Sequence, residues 1–142
     1  MKILSFLVNG EFFAVDVMLV QSVARRMTVT PVLAAPSSVI GIINIKGRVV
    51  TAFNLYNLLG YEERREAKRI TYTVNAVVLK AFSGGGDQLA LVMDKPGDLI
   101  DVDETAIRIL PRGETEEENR IVARIAEVGD TLYRIVDVHS IA

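Results

Sequence analysis

Asn9-Gly10 stands between two short runs rich in Ile, Val and Phe, residues 3–8 and 11–15, and this arrangement points the start of the chain to a tight β-hairpin. Both central positions of a type I′ turn need positive φ, which Asn tolerates and Gly adopts freely. Lys46-Gly47 separates residues 39–45 from 48–53 in the same manner, with Lys making the weaker turn signal. Strand-like text resumes at residues 70–82, breaks at Ser83-Gly84-Gly85-Gly86-Asp87, and returns at 88–93, 98–102, 120–128 and 131–136. The expected class is all-β. One segment departs from period two: residues 17–26, preceded by Asp16, read as a short helix, because Asp is a good N-cap and the apolar spacing turns helical. On a helical wheel Val17, Leu19, Val20, Val23 and Ala24 share one arc, while Met18 falls on the polar side and is expected to be exposed.

The chain has 142 residues, enough for one ordinary domain or two very small lobes that share buried surface. Two features favour lobes. Residues 61–69 form a charged stretch of low β-propensity between strand-rich halves, which suits a linker. The halves also echo one another: Asn54 and Asp137 each follow a strand and precede a short apolar run, as N-caps of one-turn helices would. Gly10 with Ala14-Val15-Asp16 resembles Gly86 with Val92-Met93-Asp94 in the same way. The reading is two small barrels, residues 1–66 and 67–142, whose terminal elements may swap between lobes and whose seam is apolar.

Composition excludes several functions. Sixteen basic and eighteen acidic residues give a net charge of −2, without the concentrated basic face of a nucleic-acid binder. There is no cysteine, so disulfides, thiolate nucleophiles and cysteine-bound metals are absent together, and a cytoplasmic setting is expected. The longest apolar runs, at 17–20 and 49–53, fall far short of the roughly 20 residues of a membrane span. The N-terminal residues begin as a strand and not as an export signal. No direct membrane insertion is expected.

Groups able to carry catalysis are sparse. His139 is the only histidine and follows the Asp137 cap, where a surface or packing role is the simpler reading. The Ser83-to-Gly86 run precedes a strand and lacks the helix and lysine of a phosphate cradle, so it reads as a hairpin tip. Asp94, Asp98, Asp101 and Asp103 lack the ligand register of a calcium loop, and the glutamates within 111–119 read as a solvated loop. No metal and no cofactor is implied.

The segment Gly41-Ile42-Ile43-Asn44-Ile45-Lys46-Gly47-Arg48-Val49-Val50 resembles the G-x-x-N-L-R-G signature of the CheW-like family. Phe6, Phe13-Ala14-Val15-Asp16, Val20-Gln21, Thr30-Pro31 and Ala35-Pro36 fall at the family's spacing upstream of it. Asn54-Leu55, Leu59-Gly60, Val92-Met93-Asp94 and Ile135-Val136-Asp137 match elements downstream, so the resemblance spans nearly the whole chain. It implies a pair of five-stranded SH3-like barrels related by a pseudo-twofold axis, without enzymatic activity. It further implies an adaptor that joins the cytoplasmic tip of a chemoreceptor to the regulatory domain of the histidine kinase CheA. Matching positions nominate Val20, Asn44 and Lys46 for the receptor, to which the wheel adds Met18 and Ser22. The kinase side, by analogy, falls on Asp94, Leu99, Ile100 and Val102. Gly41, Gly47, Asn54 and Asp137 stand as structural turns and caps. Lys46 replaces the signature arginine and loses its planar fork, Thr51 replaces a proline, Asn54 an aspartate, Tyr56 an arginine, and Ser22 a common glutamate. A small-ligand-binding module, or a motility module with a different partner, is the alternative reading.

Overall fold

The computed structural model describes residues 1–59, 71–81, 88–110 and 121–141. The charged stretch at 61–69, the glycine run at 83–86 and the acidic loop at 111–119 lie outside these residues. In chain order the strands are β1 (Lys2–Val8), β2 (Glu11–Asp16), β3 (Val20–Thr30), β4 (Val39–Ile45) and β5 (Arg48–Asn54). A one-turn helix, α1 (Leu55–Leu58), comes next, followed by β6 (Tyr72–Leu79), β7 (Gln88–Met93), β8 (Lys95–Asp101), β9 (Ile107–Ile109), β10 (Val122–Val128) and β11 (Thr131–Val136). Single 3-10 turns occupy Val17–Leu19, Glu104–Ala106 and Val138–Ser140. No helix among the described residues is long and apolar enough to cross a membrane.

The strands form two sheets. One closes into a five-stranded barrel in the order β3-β4-β5-β7-β6, and the other is a six-stranded sheet in the order β8-β1-β2-β11-β10-β9. The all-β expectation and one closed five-stranded barrel stand; the second unit is a six-stranded sheet and not a second five-stranded barrel. The sheets also exchange strands across residue 66. β6 and β7 enter the barrel beside β3 to β5, and the β1–β2 hairpin joins the later strands through the parallel pair β2–β11.

The side-chain pattern explains why the exchange is stable. β6 and β7 turn Ala76, Val78 and Ala90 into the barrel interior, while Val77, Leu79, Leu89, Leu91 and Met93 point into the seam between the sheets. β1 and β2 behave alike: Phe6, Val8, Phe13 and Val15 enter the seam, and Ile3 and Ala14 join a separate cluster with Val102, Ala126 and Ile135. Strands buried on both faces lose the polar alternation and read as continuous apolar runs. In β6 and β7 size is also sorted by face, since Ala76, Val78 and Ala90 face the narrow barrel while Leu79, Leu89, Leu91 and Met93 join Val77 in the seam. Phe6 and Phe13 lie 6.3 Å apart in the seam. α1 caps it with Leu55 and Leu58, held by Asn54 Oδ1, which accepts from the Tyr56 and Asn57 amides at 2.9 and 3.3 Å. Tyr56 donates its hydroxyl to Glu11 Oε2 at 2.7 Å, and Arg134 reaches the same oxygen at 3.3 Å, so one carboxylate ties β2, α1 and β11 together.

The expected helix at 17–26 is not formed. Asp16 does cap a turn, its Oδ1 accepting from the Met18 amide at 3.0 Å, but that turn ends at Leu19 and β3 begins at Val20. β3 pairs with β6 from Val20↔Leu79 to Val29↔Tyr72, with register shifts between Val20 and Ser22 and between Ala24 and Met27. Each shift interrupts the two-residue alternation and leaves apolar residues at 20, 23, 24 and 27, a spacing that imitates a helix. The 98–102 strand is likewise longer, because β8 takes in Pro96 and Gly97. Proline is tolerated on an edge strand, and Gly97 fits a bulge where a Cβ would stand 2.3 Å from Ser5 Oγ.

Gly41 closes the barrel. β3 and β4 pair only at Val29↔Ile43 and Thr30↔Ile42, and a Cβ on Gly41 would lie 2.3 Å from Thr30 O and 2.8 Å from Val29 Cγ1. Gly41→Ala should therefore lower the free energy of unfolding by about 1–3 kcal/mol, the range for overpacking a tight site. Leu91→Ala should remove about 2–5 kcal/mol by opening a cavity in the seam. Urea unfolding checks both, and a loss below about 0.5 kcal/mol for Gly41→Ala would show that β4 can move away from β3 at little cost.

Candidate functional site

The β4–β5 turn is built from Lys46 at φ +52° and Gly47 at φ +81°, the pair of positive values a type I′ turn needs. Asn9 and Gly10 repeat it at +49° and +79°. For a lysine this backbone costs about 1–2 kcal/mol, and Asn44 offsets part of that by accepting from the Gly47 amide through Oδ1 at 2.9 Å. Asn44, expected to face the receptor, is thus the residue that pins the turn. Lys46 is the residue that the turn presents.

Beside this turn the barrel is open. Toward the start of β3 its ladder with β4 is absent among the described residues. Here β3 is held to β6 instead: Arg26, at φ +52° within the second bulge, donates its amide to Asn75 Oδ1 at 3.0 Å. Asn75 Nδ2 in turn donates to Asp94 O at 3.1 Å. The splayed strands leave a groove of about 690 Å³ at the barrel mouth. Its apolar part is Val23, Ala24, Met27, Ile45 and Val78; its polar part is Gln21, Ser22 and Gln88; and its charges are Arg25, Lys46 and Arg48. Gln88 is only 7% exposed, and its Nε2 already donates to Leu79 O at 2.9 Å. Among the described residues no carboxylate lines the groove, and their ion pairs, Arg108–Glu127 and Arg134–Glu11, lie elsewhere.

Of the receptor set, Ser22 and Lys46 come together in this groove. Met18 is 70% exposed, as expected, but it and Val20 lie outside the lining; Val20 is half-buried against the seam. Sequence reasoning overlooked Arg48, which hairpin register would have supplied as the cross-strand partner of Ile45. The described residues that line the groove all come from the barrel strands and the β4–β5 turn. Of the kinase set, Leu99 is 60% exposed on β8, an edge strand of the six-stranded sheet, and Ile100 is half-buried. Val102 is 3% exposed and packs with Ile3 and Ala14, so its side chain does not face outward. Asp94 occupies the corner between the sheets, where its Oδ2 accepts from the Asn9 amide at 2.7 Å and its amide donates to Leu7 O at 2.8 Å. Asp137 caps the last turn, accepting from the His139 amide at 3.2 Å and the Ser140 hydroxyl at 2.8 Å. Among the described residues, no group of three or more His, Cys, Asp or Glu side chains could hold a metal ion.

Lys46→Gly is expected to leave the urea midpoint unchanged or raised, since glycine takes positive φ without strain. Asn44→Ala should lower stability by about 0.5–1.5 kcal/mol through loss of the bond to the Gly47 amide. Equal losses in the two variants would mean that the Lys46 side chain supports the fold by a contact and is not merely displayed by the turn.

A family profile described as CheW-like domain matches residues 2–142. The chemotaxis protein CheW of Bacillus subtilis (strain 168) is 24% identical over 143 residues, covering 99% of this chain and 85% of that protein. The chemotaxis protein CheW of Treponema pallidum (strain Nichols) is 20% identical over 140 residues, covering 99% and 81%. Among solved structures, the scaffolding protein TtCheW from Thermoanaerobacter tengcongensis superposes with a TM-score of 0.79 at 23% identity, over 96% of this chain and 88% of that one. With the profile spanning all but the first residue, and a fold of the same kind beneath it, this chain belongs to the family of CheW-like domains.

Proposed function

We propose that this chain is a non-catalytic cytoplasmic adaptor that couples the tip of a chemoreceptor's helical hairpin to the regulatory domain of the kinase CheA. The observation that carries this reading is the groove at the barrel mouth, with an apolar floor and a rim that carries Arg25, Lys46 and Arg48. Helices that dock on another protein present rows of apolar side chains to such a surface, and rim charges orient them. Receptor docking is assigned to Ser22, Lys46, Arg25 and the apolar residues between them. Kinase docking is assigned to the β8 edge around Leu99, whose exposure on an edge strand suits a protein contact. The two assignments fall on different sheets, which is what a coupling protein requires if both partners are to be held at once.

The reading is tested by calorimetry with a receptor cytoplasmic fragment and a CheA regulatory domain from the same cell, added singly and together. Binding of both, with neither displacing the other, is expected. Leu99→Lys should weaken the kinase domain by about tenfold or more and leave the receptor fragment unaffected. Failure to bind either partner would overturn the proposal, and mutual displacement would overturn the assignment to separate surfaces.

A further inference from the structure

Among the described residues, the charged side chains that line the groove are all cations. Arg25 comes from β3, Lys46 from the turn and Arg48 from β5, so three separate pieces of backbone converge on one opening and each contributes a cation. All three residues are exposed, and none makes an ion pair within the described residues. Ser22, which reaches the same opening, contributes a hydroxyl and not a carboxylate. Like charges gathered without a counter-charge raise the local potential and select what approaches them. We propose that the barrel-mouth groove is a docking site for an acidic amphipathic helix, whose carboxylates meet Arg25, Lys46 and Arg48 while a row of its apolar side chains seats on Val23, Ile45 and Val78. The helical form of this partner rests on the function proposed above; its negative charge rests on the groove alone.

A small anion fits the site less well. It would meet only solvent-exposed cations, interleaved with apolar residues, and the amide of Gln88 is already engaged with Leu79 O. Small-molecule sites instead converge polar groups inside an enclosure. A protein segment supplies what this opening lacks: several negative charges at fixed spacing, joined to apolar surface. The carboxylate missing from the described lining comes with the partner, and specificity then lies in the sign of that partner's polar face.

The test uses the full chain and two synthetic helices with the same apolar face, one carrying glutamates and the other lysines on the polar face, together with the receptor fragment. Anisotropy titrations are expected to show the glutamate helix binding, with its Kd rising about tenfold or more between about 50 and about 300 mM salt, and the lysine helix not binding. The Arg25→Glu/Lys46→Glu double variant should abolish capture, and Ser22→Glu, which places a carboxylate in the groove, should weaken it several-fold. Circular dichroism confirms folding, and Arg25→Gln/Lys46→Gln serves if the double reversal does not fold. Equal binding of the two helices, salt-independent affinity, or full affinity in the double variant would overturn the proposal. A receptor fragment that binds without salt dependence would leave the adaptor function standing and sink this inference. A glutamate helix that binds as described while the receptor fragment does not would do the reverse.

Discussion

The fold depends on β6 and β7 being buried on both faces. Alternate side chains of these strands fill the barrel and the seam, so the barrel interior and its packing against the six-stranded sheet depend on the same two strands. Their apolar side chains are each worth about 1.5–3 kcal/mol when fully buried, and strands buried twice recover that contribution on two sides. A barrel of five short strands has too little interior to be stable alone, as the small side chains Ala52, Ala76 and Ala90 within it make plain. Packing against the second sheet through Leu79, Leu89, Leu91, Phe6 and Phe13 supplies the missing burial.

The groove at the barrel mouth follows from how the barrel closes. Gly41 lets β4 come against Thr30 and Val29 at one end, while the bulge at Arg26 draws β3 toward β6 at the other. Closed at one end and splayed at the other, the barrel exposes part of its wall between β3 and the β4–β5 turn. The cations arrive there by local rules: Lys46 because the turn displays it, Arg48 because it pairs with Ile45, and Arg25 because it neighbours the bulge. A chain of hydrogen bonds, from the Arg26 amide through Asn75 to the backbone of Asp94 and on to Leu7 and Asn9, fastens this edge of the barrel to the other sheet. Asp94 thereby has a structural task at the corner between the sheets.

Much of this was legible in the residues, because it is decided locally. Asn9-Gly10 and Lys46-Gly47 need only their own backbone preferences to turn the chain, and Asn54 and Asp137 need only the next few amides to cap. β3 was misread because its bulges, set by pairing with β6 about fifty residues away, give its apolar residues a helical spacing. The exchange of strands between the sheets was beyond any local pattern, since the parallel pairs β5–β7 and β2–β11 join distant segments. Val102 looked available to a partner for a similar reason: its burial comes from packing against Ile3 and Ala14, near the other end of the chain. Ser22 and Lys46 were both nominated, yet only the fold brings them to one opening and leaves Met18 and Val20 outside it.

Amide chemical shifts measured during titration of the isotope-labelled chain with the receptor hairpin fragment test most directly whether the barrel mouth is the docking surface. The largest shifts are expected at residues 21–25 and 45–48, on the two walls of the groove. Shifts gathered along β8 or in the seam between the sheets, with the groove amides unmoved, would contradict that expectation.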